Sequence, residues 1–319
     1  MYHTVIGKDI EAAKEFLEQG ELVAIPTETV YGLAANGLNE LAVMKIYAAK
    51  NRPQFNPLIL HVANMDQLET LVREVPLACR KLIQSFSPGP ITYLLPKSSL
   101  IPDIVTAGSD LVAIRIPDHP LTLSLLASLN FPLAAPSANP SGYVSPVSAA
   151  HVMQGLNSKI PYILDGGACR VGLESTIIGF AENKVIIHRL GGIGIEQIKN
   201  ITGLDVELAL SHASPTAPGQ LKSHYATRTP FLLGDVELLA NDYQGKKIGI
   251  ISLSKSYENM HPYTAVMLSP SGDLNEAASK LFSAMRGLDD LGLDVIIAER
   301  FPEEGMGLAI NDRLARAAY

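Results

Sequence analysis

Residues 40–62 read ELAVMKIYAAKNRPQFNPLILHV, a run of helix-favouring residues, a turn with two prolines, and then an apolar run. Asn39 stands where a helix N-cap belongs. Pro53 disfavours helical backbone at Arg52, so the helix is expected to end at about Lys50. PLILHV then reads as a buried strand. A helix that hands over to a buried strand within so short a stretch marks an α/β chain. The same turn carries chemistry. On a continuous helix Lys50 and Arg52 would point to nearly opposite sides. If the chain leaves the helix extended, residues two apart share a side, and two scattered cations become a clamp. Arg52 offers a planar fork for phosphate and Lys50 a compact point charge. The plainer alternative is that Lys50 complements the helix C-terminus while Arg52 is solvated. Asn56 and His61 bracket the strand. His61 at its end can face a cleft, although a lone strand histidine is more often a hydrogen-bonded structural residue.

Outward from this stretch, the alternation of short apolar strands and amphipathic helices runs from residue 9 to about 200. Asp9 suits the cap of a helix through IEAAKEFLEQ, with Gly20 at its stop, and ELVAIPT reads as a buried strand. Pro76 can open the helix LACRKLIQSF, and ITYLLP follows as a strand. DLVAIRIP and FPLAAPS flank the helix PLTLSLLASLN. ESTIIGF and KVIIHRL look like a strand pair, and GIGIEQIKNITG begins a helix after a glycine turn. From residue 204 to about 228 the chain is rich in Ser, Pro, Ala and Thr and reads as a connector. KKIGIIS, YTAVML, LNEAASKLFSAMRGLDDLG, DVIIAER and GLAINDRLARAA then describe a second, smaller unit of the doubly wound kind. The expected organisation is a twisted open α/β sheet with flanking helices over 1–204, a connector over 205–229 and a Rossmann-like α/β domain over 230–319.

The 319 residues, 47% hydrophobic and 18% charged, are those of a globular chain with a sizeable core. A net charge of −7 argues against a protein that coats nucleic acid through a basic face, while leaving room for a small basic pocket. Two cysteines, Cys79 and Cys169, supply neither a disulfide framework nor a cysteine zinc site. The N-terminal segment lacks the layout of a signal peptide, and no apolar run approaches the roughly 20 residues that span a bilayer. A cytoplasmic setting without membrane association is expected.

Other constellations follow strands. AAPSANPSG, residues 134–142, places Ser137 and Asn139 two apart between prolines that limit backbone freedom. In open α/β sheets such a loop lies beyond a strand's carboxyl end, where ligands bind; the plainer reading is an ordinary turn. PTETVYGLAAN presents the hydroxyls of Thr27, Thr29 and Tyr31 at alternate positions, and Gly32 permits close approach of a ligand or a neighbouring strand. DGGACRVGLESTI supplies glycine turns and then Glu174, Ser175 and Thr176. Arg115 and Arg189 are single arginines inside apolar strands, which is costly unless each meets a bound anion or a buried carboxylate. No GxxxxGK[ST] loop, GxSxG elbow or HExxH helix is present. The residues describe a cleft of arginines, a lysine and small hydroxyls, suited to positioning and charge neutralisation in attack on a nucleotide phosphate.

PTETVYGL, KNRPQFNPLILH, VAIRIPDHP, APSANPSG and VGLESTI, in this order and spacing, resemble the YrdC-like threonylcarbamoyl-AMP synthase family. PGQLKSHYA (218–226) and the C-terminal unit look like its long, two-domain form. The resemblance implies a YrdC-like catalytic domain and an L-threonylcarbamoyladenylate synthase. Such an enzyme combines L-threonine, bicarbonate and ATP, with Mg2+, to give threonylcarbamoyl-AMP and pyrophosphate for modification of tRNAs that read ANN codons. It implies that Thr29, His61, Arg115 and Ser175, with the backbone of Ala135, hold threonine. It likewise implies that Arg52, Asn56, Ser137, Ser145, Arg189 and His224, with the backbone of Leu111, hold ATP. Lys50 and Asn139 complete the K-x-R and S-x-N signatures, and Lys50 and Arg52 would stabilise phosphate charge without any covalent nucleophile. The connector would fold over the pocket as a lid, and the product would be handed to the tRNA threonylcarbamoyl-transfer machinery, with at most weak tRNA binding. Gln220, Ser223 and Thr227 depart from the family pattern in the lid, as do Tyr143 and Val147 nearer the pocket.

Two other readings compete. A carbamoyltransferase that forms carbamoyl-AMP, as YrdC-like modules do in hydrogenase maturation proteins, would be accompanied by cysteine-rich zinc segments that two isolated cysteines cannot supply. An RNA-binding or regulatory module would need a positive surface that the acidic net charge disfavours, and a steep salt dependence of tRNA binding would reveal it.

Overall fold

The computed structural model describes residues 2–209, 224–257 and 264–319. These fall into two compact units, one of residues 2–141, 146–170 and 174–209, the other of residues 142–145, 171–173, 224–257 and 264–319.

The larger unit holds strands β1 (Val5–Gly7), β2 (Val23–Ile25), β3 (Gly32–Asn36), β4 (Ile59–His61), β5 (Ile91–Pro96), β6 (Leu111–Arg115), β7 (Leu133–Ala134), β8 (Tyr162–Leu164), β9 (Thr176–Ala181), β10 (Lys184–Arg189) and β11 (Asp205–Leu208). They form one sheet in the order β1-β8-β2-β3-β7-β4-β6-β5-β9-β10-β11. Its helices are α1 (Ile10–Glu18), α2 (Glu40–Lys50), α3 (Met65–Leu71), α4 (Leu77–Phe86), α5 (Asp103–Thr106), α6 (Pro120–Ser128), α7 (Ala149–Leu156) and α8 (Ile195–Thr202). Asp9 and Asn39 cap α1 and α2 as the sequence predicts, each accepting two backbone N–H bonds. Part of the core lies where α1 and α6 pack on β2, β7 and β8, around Leu17, Val23, Leu125, Leu133 and Leu164.

The turn after α2 departs from expectation. Asn51 adopts the left-handed conformation (φ 52), so the chain exits through a C-cap and not in an extended run. Lys50 and Arg52 still come close enough for Arg52 to depress the Lys50 pKa. Proximity is met by a different backbone route.

The strands of this unit that sequence periodicity misses are β1, β3, β8 and β11. β3, GLAAN, is made of residues with little strand propensity. It is a strand because the chain is packed closely there: a Cβ on Gly32 would stand 3.2 Å from that of Ala135 and 3.6 Å from Ile25 Cγ1. The close approach that Gly32 permits is to neighbouring strands. The sheet is mixed, with β7 antiparallel to both β3 and β4. The carboxyl end of β7, which opens into the Ser137–Asn139 loop, therefore lies beside the amino end of β4, and the Ala135 N–H donates to the Ile59 carbonyl at 2.9 Å. Asp205–Leu208, at the head of the segment read as a connector, pair in parallel with β10 as the sheet's edge. Residues 210–223, with Gln220 and Ser223, lie outside the described residues.

The smaller unit has four parallel strands, β12 (Phe231–Leu233), β13 (Ile248–Ser252), β14 (Thr264–Met267) and β15 (Val295–Ala298), in the order β12-β15-β13-β14. Helices α9 (Val236–Asn241), α10 (Leu274–Asp289) and α11 (Gly305–Ala317) accompany them. Val236, Ala240, Ile248, Ile250, Val295 and Ile297 form its core. Among the described residues no helix is long and apolar enough to cross a membrane.

Candidate active site

Two buried cations organise the loops before β4 and after β7. Lys50, 1% exposed, donates from Nζ to the Ser137 carbonyl at 2.5 Å and to the Asn139 carbonyl. Its own carbonyl accepts the Ser141 N–H at 2.8 Å. Burial above all, with Arg52 nearby, holds the Lys50 pKa well below the usual lysine value. Arg52 donates from Nε to the Asn56 carbonyl at 3.2 Å and from Nη2 to the Pro57 carbonyl at 2.9 Å. The K-x-R and S-x-N signatures are thus in direct contact. The lysine grips the backbone of one loop and the arginine folds the other around itself. Ser137 is half-buried, and Asn139 is buried, with Nδ2 donating to the Pro140 carbonyl at 2.9 Å.

Asn56 is the signal of a missing partner. It is 1% exposed, and neither its amide nitrogen nor its amide oxygen has a hydrogen-bond partner. A buried amide left this way costs about 1–3 kcal/mol per group, and ligand-facing positions are where such a cost is tolerated.

A second group forms a row across five strands. His61 on β4 is in register with Arg115 on β6. The β5–β6 register pairs Tyr93 with Ile114, so Thr92 follows opposite Arg115. Thr92 Oγ1 lies 2.7 Å from Ser175 Oγ, just ahead of β9. Arg189 at the end of β10 donates from Nε to the Ser175 carbonyl and from Nη2 to Ser175 Oγ, both at 3.0 Å. Imidazole, guanidinium, two hydroxyls and a second guanidinium therefore face one side of the sheet. Thr29, fully buried, stands 2.9 Å from Thr27 through their hydroxyls. Ala135 spends its N–H on the Ile59 carbonyl.

Arg115 meets the buried carboxylate that the sequence left as an alternative. Its Nη2 is 2.6 Å from Glu28 Oε1, with both side chains buried. Sequence reasoning missed Glu28 and Thr92. The available signals were an acid between the two threonines of PTETVYGL and a lone threonine in the apolar strand ITYLLP.

Leu111 opens β6 at the end opposite Arg115, about 13 Å away along extended chain. Ser145 and His224 belong to the smaller unit. There the Ser145 carbonyl accepts from Arg286 Nε at 3.3 Å, and the His224 N–H donates to the Arg316 carbonyl at 3.3 Å. The Tyr143 hydroxyl donates to Asp289 at 2.8 Å, and its ring lies 4.7 Å from the Arg286 guanidinium carbon.

Burial, and then Arg115, depress the His61 pKa to about 3, so the ring is neutral at ordinary pH. The unfolded ring takes up a proton below its ordinary value of 6.5 while the folded ring does not until about 3. Stability from this site is complete above 6.5 and is lost as pH falls toward 3. Denaturant unfolding against pH should therefore show a decline over that window which the His61→Asn variant lacks. Parallel curves would exclude the buried neutral ring.

Among the described residues no group of three His, Cys, Asp or Glu side chains could hold a metal ion. The groups gathered here are cations, hydroxyls and amides, with Glu28 engaged by Arg115. They fit a metal carried by a polyphosphate, and they do not form a carboxylate cage.

Residues 15–191 match the Sua5–YciO–YrdC family, described as telomere recombination, and residues 193–319 match the threonylcarbamoyl-AMP synthase C-terminal domain. The chain is similar to the threonylcarbamoyl-AMP synthase of Pyrococcus abyssi strain GE5, 42% identical over 97% of this chain and 94% of that protein. It is similar to the threonylcarbamoyl-AMP synthase of Bacillus subtilis strain 168, 41% identical over 97% of this chain and 92% of that protein. A crystal structure of P. abyssi Sua5 complexed with L-threonine aligns at a TM-score of 0.91 and 40% identity, covering 100% of this chain and 97% of that one.

Proposed function

This chain belongs to the Sua5–YciO–YrdC family in its two-domain form, and from that premise we propose that it is a threonylcarbamoyl-AMP synthase. It is a nucleotidyltransferase of tRNA modification that joins L-threonine, bicarbonate and ATP and releases pyrophosphate. The observation that carries this reading is the row His61–Arg115–Thr92–Ser175–Arg189, a niche with a guanidinium for a carboxylate and an imidazole and hydroxyls for a hydroxyl. The P. abyssi relative crystallised with L-threonine supports the same assignment.

In this reading Thr29, His61, Arg115 and Ser175, with the backbone of Ala135, hold threonine. Asn56, Ser137, Asn139 and Arg189 hold ATP, and the free amide of Asn56 meets a nucleotide group. The backbone of Leu111 adds a further nucleotide contact, as the family pattern implies. Arg52 and Lys50 supply positive potential at the phosphates, Lys50 chiefly by fixing the Ser137–Asn139 loop. Bicarbonate takes up a proton and loses water to give carbon dioxide, the threonine amine adds to its carbon and releases a proton to leave a carbamate, a carbamate oxygen attacks the α-phosphorus, and pyrophosphate leaves. A magnesium ion carried by the ATP phosphates would supply further charge neutralisation beside Lys50 and Arg52. The catalytic domain runs to Leu208 at the end of β11, the C-terminal domain begins at about residue 230, and the adenylate passes to the tRNA threonylcarbamoyl-transfer machinery in the cytoplasm.

The test is incubation of the full chain with ATP, labelled bicarbonate and each amino acid in turn. A labelled adenylate and pyrophosphate should appear only with threonine. Product formed from carbamoyl phosphate instead would overturn the assignment, and pyrophosphate exchange into ATP without threonine would overturn the order of steps.

Asn56→Ala gives a subtler check. Removal of two orphaned polar atoms should leave the free protein's unfolding free energy within about 1 kcal/mol of wild type. ATP affinity, by calorimetry, should fall about tenfold. Unchanged ATP affinity would remove Asn56 from the nucleotide site.

A further inference from the structure

Glu28 lies in the middle of PTETVYGL with a side chain 1% exposed, opposite an Arg115 side chain 4% exposed. Its second oxygen accepts the Asp118 N–H at 3.0 Å, and Arg115 Nε donates to the Gly89 carbonyl at 3.3 Å. Both partners are therefore anchored to main chain as well as to each other. An apolar pair of equal volume would often serve stability as well as such a buried ion pair. Stability alone does not explain why these charges are here.

Several neighbouring groups add no charge to the pair. His61 is neutral, and burial pushes the Cys169 thiol up to about 12, so it is neutral too. The Asp118 carboxylate points to Arg170 on the exposed surface at 2.6 Å. Arg189 stands three strand spacings from Arg115, about 14 Å away, with Ser175 as its own partner. Around Arg115 the net charge is zero before substrate arrives.

We infer that Glu28 sets the charge specificity of the amino-acid niche, which admits a net-neutral zwitterion and excludes the same carboxylate without its amino group. A zwitterion laid against a neutral Arg115–Glu28 pair adds no net charge to a desolvated site. A bare carboxylate adds one uncompensated negative charge, which such a site opposes. The inference rests on the reading that Arg115 receives the substrate carboxylate. Glu28 is a positioning residue: it forms an ion pair with the guanidinium at Nη2 and cancels its charge, leaving the rest for substrate.

The test is calorimetric titration of the full chain with L-threonine and with the 2,3-dihydroxybutanoate of the same configuration, in which a hydroxyl replaces the amine. Wild type should favour threonine by about tenfold or more. In Glu28→Gln, where Arg115 is uncompensated, that ratio should collapse or invert, and Glu28→Asp should restore it. A purely structural role would weaken both ligands by the same factor, and that result overturns the inference. If Glu28→Gln does not fold, the wild-type ratio decides, because equal affinities there overturn the inference alone. No threonine binding by wild type would overturn the site reading and this inference with it.

Discussion

Gly191→Ala should abolish threonine-dependent pyrophosphate release and lower the unfolding free energy by about 3 kcal/mol. A Cβ at this position would stand 2.2 Å from the Glu174 carbonyl oxygen and 2.5 Å from both Ser175 C and Thr176 N. All three atoms are main chain, so no rotamer change relieves the contact. The end of β10 would have to move away from Glu174–Thr176. That separation would break the two Arg189 bonds to Ser175 and the exchange between Thr176 Oγ1 and the Ile193 backbone at 2.8 and 2.9 Å. It would strike one side of the proposed threonine niche directly. Gly194→Ala is the internal control three residues on, since its added Cβ would meet only the end of the Gln197 side chain at 3.5 Å. Activity assays and urea titrations of both variants decide the matter. A wild-type KM for threonine in Gly191→Ala would mean that the Ser175–Arg189 contact does not shape the niche.

The contrast between these glycines also shows where the sequence stopped being readable. Capping residues and long periodic helices were legible because their causes are local: Asp9 and Asn39 bond to N–H groups two and three residues away. β3 was not, because GLAAN becomes a strand only when Ala135, a hundred residues later, closes on Gly32. The site divided along the same line. The motifs named Lys50, Arg52, Ser137 and Asn139, but not that the lysine would be spent on the carbonyls of the S-x-N loop. That bond joins residues 87 positions apart and depends on a mixed sheet turning β7 against β4. Arg115 was flagged as costly when buried, yet its partner Glu28 could not be chosen from sequence. The two meet across a fold that brings the PTETVYGL loop to β6.

Lys50→Met should raise the KM for ATP about 100-fold, roughly 2.7 kcal/mol of lost interaction, while changing stability little. The ammonium makes two charge-assisted bonds to carbonyls, each contributing about 1.5–3 kcal/mol. Against that stands a desolvation cost of several kcal/mol for a lysine 1% exposed beside an arginine, the same cost that depresses its pKa. The two nearly cancel in the free protein, so a methionine of similar length leaves unfolding within about 1 kcal/mol of wild type. They do not cancel in function. Without the ammonium the bonds to the Ser137 and Asn139 carbonyls are lost while the Ser141 N–H bond to the main chain of residue 50 stays, and binding ATP must then order a loop that wild type holds more firmly in advance. Lys50→Arg should fail to rescue, because a planar fork does not fit a slot shaped for a single ammonium between two carbonyls. The readouts are the ATP KM, threonine binding in the absence of ATP, and the urea midpoint. A loss of threonine binding equal to the loss of ATP binding, or a fall in midpoint large enough to account for both, would make Lys50 a structural lysine and nothing more.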